Sequence, residues 1–331
     1  MTLASPPRVA IGMPVFNGQN YIADAIESVL AQTFQDFELV IADNASTDAT
    51  ESICRAYAAR DYRVRYHRSP YNRGAACNYE LVYRLSSPTA YFKWLAHDDR
   101  IAPTFLAKAV AALDADPAAV LCNSLVQVID DRGEEIRIYD SNLVATRVSE
   151  RPSERFAVCI LKSHRNSENF SLIRRSALER VEQMGPYYNS DKVIIAELAL
   201  LGRFLQIDEP LVANREHQKR ATSAVVRAAW AAYHDSKGGH WNRFGHLMVY
   251  RDYVRMVRRH LQDWPERRNA YASLLKWWGA GNNLTTFCAD AVAFVSPKAF
   301  VLGRRLKHQL LRPAAPKCHA GTDCSGNTGP R

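Results

Sequence analysis

The chain has 331 residues, of which 47% are hydrophobic and 23% are charged. This composition is typical of a globular protein with a core, and it excludes a collagen-like chain, a largely disordered chain and a disulfide scaffold. Seven cysteines, an odd number with no Cys-x-x-Cys pair, indicate reduced thiols. The sequence shows neither an apolar leader nor a run of about 18 apolar residues. We therefore expect a cytoplasmic protein without a spanning helix.

The positive charge is concentrated in the last third of the chain. The net charge is +9, and residues 203–331 hold 21 Lys and Arg against 9 Asp and Glu. Such an imbalance indicates an anionic partner for this part, of which a membrane surface, a phosphorylated acceptor and nucleic acid are examples. Because no recognised nucleic-acid-binding motif is present, we expect no nucleic-acid partner.

In chain order, short apolar runs alternate with stretches of helical periodicity. Helices are expected at residues 21–31, from Ser46 or Thr47 to about Ala59, after Gly74 and after Pro103. Strands are expected at residues 8–13, 37–42, 64–67 and 91–95. This alternation predicts an α/β fold with a mostly parallel sheet flanked by helices.

The second half of the chain is predicted to be mixed and then helical. Strands are expected at residues 120–128, Asn169–Ile173 and 204–207, with a hairpin turn at residues 130–133 and helices at residues 152–162 and 191–201. Residues 224–278 have a helical pattern. We predict a catalytic domain over residues 1–220, a helical basic extension over 221–312 and a disordered tail over 313–331.

Polar residues follow the predicted strands directly. Asn17, Asp43 with Asn44, and Asp98 with Asp99 each stand at a strand end. In parallel sheets the ligand lies at the carboxyl ends of the strands, so these side chains are candidates for one binding site. Two adjacent carboxylates suit Mg²⁺ or Mn²⁺, which prefer hard oxygen ligands, although helix capping also explains an Asp-Asp pair.

Three further positions have a functional and a structural interpretation. Asp43 can bind a base or a ribose hydroxyl, or cap the next helix. Gly74, in the segment from Asn72 to Asn78, lets backbone approach a phosphate at a helix N-terminus, or forms a plain turn. Asp191 can act as a general base, or stabilise the start of its helix through the dipole.

Taken together, these motifs resemble the family 2 glycosyltransferases, which have the GT-A fold. The resemblance covers about residues 9–217. It rests on Pro14 to Gly18, Asp43 to Asp48, Asn72 to Asn78, His97-Asp98-Asp99 and Ser190-Asp191, five motifs in the family's order. The sequence departs from the family pattern at Asn44, Ala45 and Cys77, where the family carries Asp, Gly and Arg.

The resemblance implies a single inverting displacement at the anomeric carbon of a nucleotide diphosphate-sugar. Asp191 is the implied base, and Asp99, with Asp98 facing the ribose or sharing the metal, holds Mg²⁺ or Mn²⁺. Residues implied in donor binding are Pro14, Phe16, Asn17, Asp43, Asn44, Arg73, Gly74, Asn78 and Asp98. His217 resembles the histidine of an Arg-x-His segment that approaches the metal in some members, although a surface histidine is the alternative.

The basic extension has two interpretations. Around residues 250–259, arginines alternate with an apolar helix face, and Arg304-Arg305-Leu306-Lys307 follows an apolar stretch. Such a surface can lie on anionic lipid at the inner membrane face, or it can be a solvated face of a helical cap.

The sequence therefore predicts a hexosyltransferase-type enzyme of cell-surface polysaccharide or glycolipid synthesis, with a glycan or lipid-linked hydroxyl acceptor. A sugar nucleotidylyltransferase is one alternative, but it would require Arg and Lys in the loop at residues 14–18, which has neither. A degenerate binding protein without catalysis is the other, and the changes at Asn44 and Cys77 allow it.

Overall fold

The computed structural model describes residues 6–182, 184, 185, 187, 189–217 and 245–288. All of these except Cys288 belong to one compact unit that extends to Phe287. Both predicted domain boundaries, at residues 220 and 312, lie outside the described residues, as does the predicted tail, so the domain division stays a prediction. No helix among the described residues has the length and apolarity needed to cross a bilayer.

The first half of the fold alternates strands and helices as the sequence predicts. The strands are β1 (Val9–Val15), β2 (Phe37–Asp43), β3 (Val64–Arg68) and β4 (Tyr91–Trp94). The helices are α1 (Ile22–Leu30), α2 (Thr50–Arg60), α3 (Ala75–Leu85) and α4 (Phe105–Ala115). The predicted cap of α2 at Ser46 or Thr47 is wrong: the helix begins at Thr50, whose N–H donates to Asp48.

The remaining described elements build the other half of the sheet and one helical layer. The strands are β5 (Arg100–Ile101), β6 (Ala119–Ile129), β7 (Glu135–Tyr139), β8 (Leu172–Arg174) and β9 (Arg203–Arg215). The helices are α5 (Val144–Val148), α6 (Pro152–Leu161), α7 (Arg175–Leu178), α8 (Ser190–Leu201), α9 (Gly245–His260) and α10 (Trp264–Gly279).

The sheet places the carboxyl ends of its central strands at one edge. The strand order is β3-β2-β1-β4-β8-β6-β9-β5, with β7 paired to β6. β1 to β4 are mutually parallel, β8 is antiparallel to both its neighbours, and β6 therefore runs in the direction of β4. The loops after β1, β2, β4 and β6 consequently leave the sheet on the same side.

One strand prediction is wrong at its start. Asn169 and Phe170, predicted to open a strand at Asn169–Ile173, belong to a 3-10 helix, Ser167–Phe170. The turn closes through the Ser171 N–H, which donates to the Glu168 carbonyl at 3.1 Å. Asn166 precedes this turn in a left-handed conformation, with φ 62° and ψ 32°. The apolar pattern of the strand is therefore confined to the three residues of β8.

The core occupies both faces of the sheet because strand side chains alternate. One face packs Ile11 and Met13 against α1 and α4, and the other packs Phe92 and its neighbours against α6, α8, α9 and α10. Gly12 lies beside the Phe92 ring of the neighbouring strand β4, and a Cβ at position 12 would stand 2.7 Å from that ring. A side chain at position 12 would therefore displace the central aromatic packing.

The described part of the predicted helical extension forms α9 and α10, and α9 packs against α8. Tyr253 and Val257 of α9 are buried against α6 and α8. The Tyr187 hydroxyl donates to the buried carboxylate of Asp252 on α9. Glu197 of α8, 1% exposed, lies 2.7 Å from His260 Nε2 and 3.2 Å from Arg259. α8 is thus fixed by polar contacts on buried carboxylates as well as by apolar packing.

Candidate active site

The loops after β1 and β2 are joined by hydrogen bonds. The Asn17 N–H donates to Ser46 Oγ at 2.9 Å, and the Thr47 N–H donates to Asn17 Oδ1 at 2.9 Å. Asn17 has a φ of 52°, a left-handed value that asparagine tolerates better than most residues. Phe16, beside it, has a ring that is 45% exposed, and Pro14 is buried in β1. A partly exposed aromatic ring therefore stands on a rigid turn.

Asp43 is fully buried and serves the same turn. One carboxylate oxygen accepts the Ser46 N–H at 2.8 Å, and the other accepts the Tyr66 hydroxyl at 2.6 Å. Arg68 lies 3.8 Å from the second oxygen. Burial, together with the charge of Asp43, raises the pKa of Tyr66, so its hydroxyl keeps its proton and donates. The carboxylate thus fixes the backbone at the end of β2.

Asn44 joins this turn to the loop before α3. Its Nδ2 donates to Asn72 Oδ1 at 2.9 Å, and its Oδ1 accepts the Arg73 N–H at 2.8 Å. Only an amide can donate and accept in this way, so an aspartate at position 44 would lose the bond to Asn72. This pairing gives a physical reason for the departure from the family pattern at Asn44.

The start of α3 completes what we call the N-terminal network, formed by residues 14–19, 43–50 and 72–78. Gly74 has a φ of 83°, which a residue with a Cβ rarely adopts. Asn78, 3% exposed, donates through Nδ2 to the Ala42 carbonyl at 2.8 Å. Arg73 is exposed, with its guanidinium 5.2 Å from the Tyr71 ring. All predicted donor-binding residues except Asp98 therefore lie within one connected network.

Asp98 and Asp99 point to different partners. Asp98 Oδ2 lies 2.9 Å from His217 Nε2, which pairs a carboxylate with an imidazole. Asp99, 2% exposed, accepts the Asn214 side-chain amide and the Arg215 N–H, each at 2.9 Å and on different oxygens. His217 is therefore not an isolated surface histidine, and Asp99 fixes its turn to the end of β9.

Arg215 clamps this region, a role that the sequence did not indicate. The side chain is 1% exposed and donates to the Asp98 carbonyl at 3.0 Å. It also donates to the Asp24 carboxylate of α1 at 3.0 Å, and its guanidinium lies 4.6 Å from the Tyr21 ring. A buried arginine with this many partners holds the Asp98–Asp99 turn against α1.

Asp191 lies in the first turn of α8 and contacts a loop far from it in sequence. Its Oδ2 accepts the Asn166 side-chain amide at 2.8 Å, and its carbonyl accepts the Asn169 side-chain amide at 3.1 Å. Sequence reasoning missed both asparagines. The available signal was weak, because it consisted only of two amides in a polar stretch before β8.

Lys93 is a buried lysine between the Asp98–Asp99 turn and the 164–171 loop. It lies in β4 with no exposed surface, and its Nζ donates to the Phe170 carbonyl. Burial lowers the pKa of Lys93 to about 7, while the nearby charge of Asp99 acts in the opposite direction. A lysine in the middle of an apolar strand is visible in the sequence, but the strand pattern alone gives it no role.

Among the described residues there is no group of three or more His, Cys, Asp or Glu side chains arranged to hold a metal ion. The pair of Asp98 and His217 nevertheless offers an oxygen and a nitrogen ligand. Mg²⁺ is commonly held by one or two carboxylates and completed by substrate phosphates, so a two-residue protein contribution fits that chemistry.

Comparison with solved structures agrees with the fold. The crystal structure of residues 1–349 of S. aureus TarS in complex with UDP has a TM-score of 0.59 at 14% identity, covering 83% of this chain and 73% of that one. A second TarS structure, in complex with UDP-GlcNAc, has the same TM-score at 15% identity, covering 91% of this chain and 77% of that one. At this identity the likeness concerns the fold alone.

Sequence relatives carry glycosyltransferase names. An uncharacterized glycosyltransferase of Rickettsia felis is 33% identical over 135 residues, 40% of this chain and 21% of the relative. Another of Rickettsia typhi is 37% identical over 97 residues, 29% of each chain. This chain therefore spans less than a third of either relative. The sequence profile described as Glycosyl transferase family 2 matches residues 10–182, more than half of the chain. The chain belongs to glycosyltransferase family 2.

Proposed function

We propose that this protein transfers a sugar from a nucleotide diphosphate-sugar to a hydroxyl acceptor in a single inverting step. The observation that carries the proposal is the position of the polar groups. The N-terminal network and the Asp98–His217 pair stand at the carboxyl ends of strands in one sheet. The buried Lys93 joins β4 to the 164–171 loop, and Asn166 of that loop binds the Asp191 carboxylate. Family membership supports the same chemistry.

The N-terminal network is the proposed donor site. Phe16 offers a partly exposed ring for a base, next to the turn that Asp43 fixes. Backbone at Gly74 and the start of α3 favour a phosphate, and the exposed Arg73 supplies a positive charge. The UDP and UDP-GlcNAc complexes of the structurally similar TarS support a uridine diphosphate-sugar as the first donor to test.

Asp98 and His217 are the proposed protein ligands of Mg²⁺ or Mn²⁺. The contacts favour Asp98 over Asp99 as the direct ligand, because both oxygens of Asp99 accept hydrogen bonds from β9. A bound divalent cation would neutralise the charge that develops on the leaving diphosphate. Arg215 keeps the Asp98 backbone in place through its carbonyl.

Asp191 is the proposed base. Its carboxylate is partly exposed at the start of α8, and one oxygen is held by Asn166. The acceptor hydroxyl gives its proton to this carboxylate as its oxygen bonds to the anomeric carbon. The bond from that carbon to the diphosphate oxygen breaks at the same time, and the electron pair leaves with the nucleotide.

The proposal is tested by nucleoside diphosphate release from a panel of UDP- and GDP-sugars, with and without Mn²⁺. We expect metal-dependent release from one donor that is lost in Asp98→Asn and Asp191→Asn. Glu209→Gln, which changes an exposed carboxylate paired with Lys108, is the matched control and should retain it. Pyrophosphate release from a nucleoside triphosphate would instead support a nucleotidylyltransferase. Failure to bind any donor would support a binding protein without catalysis.

We also propose that the basic C-terminal third contacts anionic lipid at the inner membrane face. Within the described part, Arg255 and Arg258 of α9 are exposed, and α10 exposes Trp264 by 64% and Leu275 by 71%. The rest of the basic extension, including Arg304 to Lys307, lies outside the described residues. Co-sedimentation with anionic vesicles that disappears at high salt, and that is absent with neutral vesicles, is the expected result.

A further inference from the structure

Asn166 combines two properties that few residue types share. Its backbone is left-handed, with φ 62° and ψ 32°, and its side-chain amide donates to Asp191 Oδ2 at 2.8 Å. Glycine would accept this backbone conformation but has no donor, and aspartate would accept it but offers only oxygens at neutral pH. Asparagine meets both demands.

The loop around Asn166 is fixed from several sides. The Asn166 N–H donates to His164 Nδ1 at 3.2 Å, and His164 Nε2 lies 3.1 Å from the Cys159 carbonyl. Because a carbonyl only accepts, the ring carries its proton on Nε2 and accepts on Nδ1. Asn169 binds the Asp191 carbonyl at 3.1 Å. The backbone of Asn166 and the loop around it are therefore held in place by contacts within the chain.

The contact leaves the two oxygens of Asp191 in different situations. Oδ2 accepts the amide of Asn166, whereas no donor among the described residues contacts Oδ1. Because Oδ2 is held, the direction of Oδ1 is fixed as well. A fixed direction suits a base that must be aimed at the proton it accepts.

We infer that Asn166 is a positioning residue for the reaction, which holds Asp191 Oδ2 and so turns Oδ1 towards the acceptor hydroxyl. The inference rests on the proposed function, since it assigns Asp191 as the base. Asn166 itself gains and loses no proton in the step. The proton passes from the acceptor hydroxyl to Asp191 Oδ1, and the amide keeps its bond to Oδ2 throughout.

The test compares Asn166→Gly and Asn166→Asp with the wild-type enzyme. Both residues tolerate the left-handed backbone, and neither donates an amide hydrogen to Asp191. Asn142→Gly is the matched control, because Asn142 is exposed and also left-handed, with a φ of 58°. The measurements are the pH dependence of kcat for metal-dependent nucleoside diphosphate release, the KM for the nucleotide sugar, and the Tm.

We expect kcat of Asn166→Gly to fall about ten- to a hundredfold, as for loss of a hydrogen bond to a charged group. The acid limb of the pH profile should move to higher pH in Asn166→Asp, because the introduced carboxylate lies beside that of Asp191 and like charges oppose ionisation. KM should stay within about twofold of wild type, because the lost interaction acts in the chemical step rather than in binding of the donor. Asn142→Gly should match wild type in all three measurements.

The inference is overturned if both Asn166 variants keep the wild-type acid limb and kcat. It is also overturned if kcat falls only in parallel with donor affinity and Tm while the pH profile of the remaining activity is unchanged, since that is the result of a purely structural role. Failure of the proposed function gives a different pattern: the wild-type protein releases no nucleoside diphosphate, or Asp191→Asn retains full activity.

Discussion

The N-terminal network and the 164–171 loop differ in how many of their buried polar side-chain atoms lack a hydrogen-bond partner. In the N-terminal network, the side chains of Asp43 and Asn44 are paired, and among the described residues Asn78 Oδ1 is the one buried side-chain atom of the network without a partner. In the 164–171 loop, several buried oxygens have none among the described residues. These are Asn166 Oδ1, both carboxylate oxygens of Glu168, Asn169 Oδ1 and Ser171 Oγ.

The N-terminal network therefore acts as a scaffold, whereas the 164–171 loop retains several buried polar atoms without hydrogen-bond partners among the described residues. A buried oxygen without a donor costs about 1–3 kcal/mol, so the oxygens of the 164–171 loop lower the free energy of unfolding. Proteins keep such local costs where function requires a group that packing would not select. The loops of the N-terminal network, by contrast, are joined to one another by hydrogen bonds between their side chains and backbone.

The largest expected effect is at Asp98, which follows the end of β4. Asp98→Asn removes the charge from the carboxylate that pairs with His217. We expect kcat for nucleoside diphosphate release to fall by about a hundred- to a thousandfold, the range seen when one electrostatic contact to a developing charge is lost. Mn²⁺ affinity, measured by titration, should fall with it. Unchanged Mn²⁺ affinity would contradict the assignment of Asp98 as a ligand.

Lys93, which links the two regions, gives a pH-dependent prediction. Burial lowers its pKa to about 7 in the folded chain, against about 10.4 in an unfolded chain. Between these values the unfolded chain binds more protons, so the free energy of unfolding rises with pH, by at most about 5 kcal/mol in total. The full penalty is present below pH 7.

Lys93→Met removes this titration. The difference in unfolding free energy between the variant and the wild type should favour the variant at pH 7 and shrink as the pH approaches 10. Denaturant unfolding at four or five pH values measures it. Parallel pH profiles for the two proteins would show that Lys93 is charged in the fold.

Two buried glutamates allow the comparison to be tested directly. Glu38, 2% exposed, accepts hydrogen bonds from Arg65 at 2.9 Å and from the Ser87 hydroxyl at 3.0 Å. Glu168, 1% exposed, has no hydrogen-bond donor among the described residues and lies 3.6 Å from His164 Nδ1. We expect Glu38→Gln to lower the free energy of unfolding by about 2 kcal/mol.

The same change at Glu168 removes a buried charge and breaks no hydrogen bond that the described residues make. We therefore expect the free energy of unfolding of Glu168→Gln to be equal to that of the wild type or higher. Denaturant melts of both variants at neutral pH provide the measurement. Equal losses of unfolding free energy in Glu38→Gln and Glu168→Gln would show that the two regions do not differ in how their buried carboxylates are stabilised.

The smallest expected loss of stability concerns Asn44. Asn44→Asp places a carboxylate against Asn72 Oδ1, which now accepts its amide at 2.9 Å. We expect a loss of about 1 kcal/mol in the free energy of unfolding, because position 72 is partly exposed and water can replace the lost donor. Asn44→Asp combined with Asn72→Ser should recover part of it. A variant as stable as the wild type would mean that the amide pair is dispensable.

The sequence predicted the N-terminal half well because its signals are local. Apolar runs ended at Asp43 and at the turn of Asp98 and Asp99, and parallel strands bring such ends to one edge. The contact of Asn166 with Asp191 joins residues 25 positions apart through a left-handed turn. Periodicity carries no information on such a contact, and the same turn caused the strand prediction at Asn169 to fail.

The attachment of α8 to α9 has a thermodynamic consequence. Asp191 lies in the first turn of α8, the helix that Glu197 ties to His260 and Arg259, and Tyr187 just before this helix donates to Asp252. Any partner that binds α9 and alters these contacts also alters the relative free energies of the positions that Asp191 can adopt. By reciprocity, an acceptor that engages Asp191 must change the affinity for that partner by the same factor.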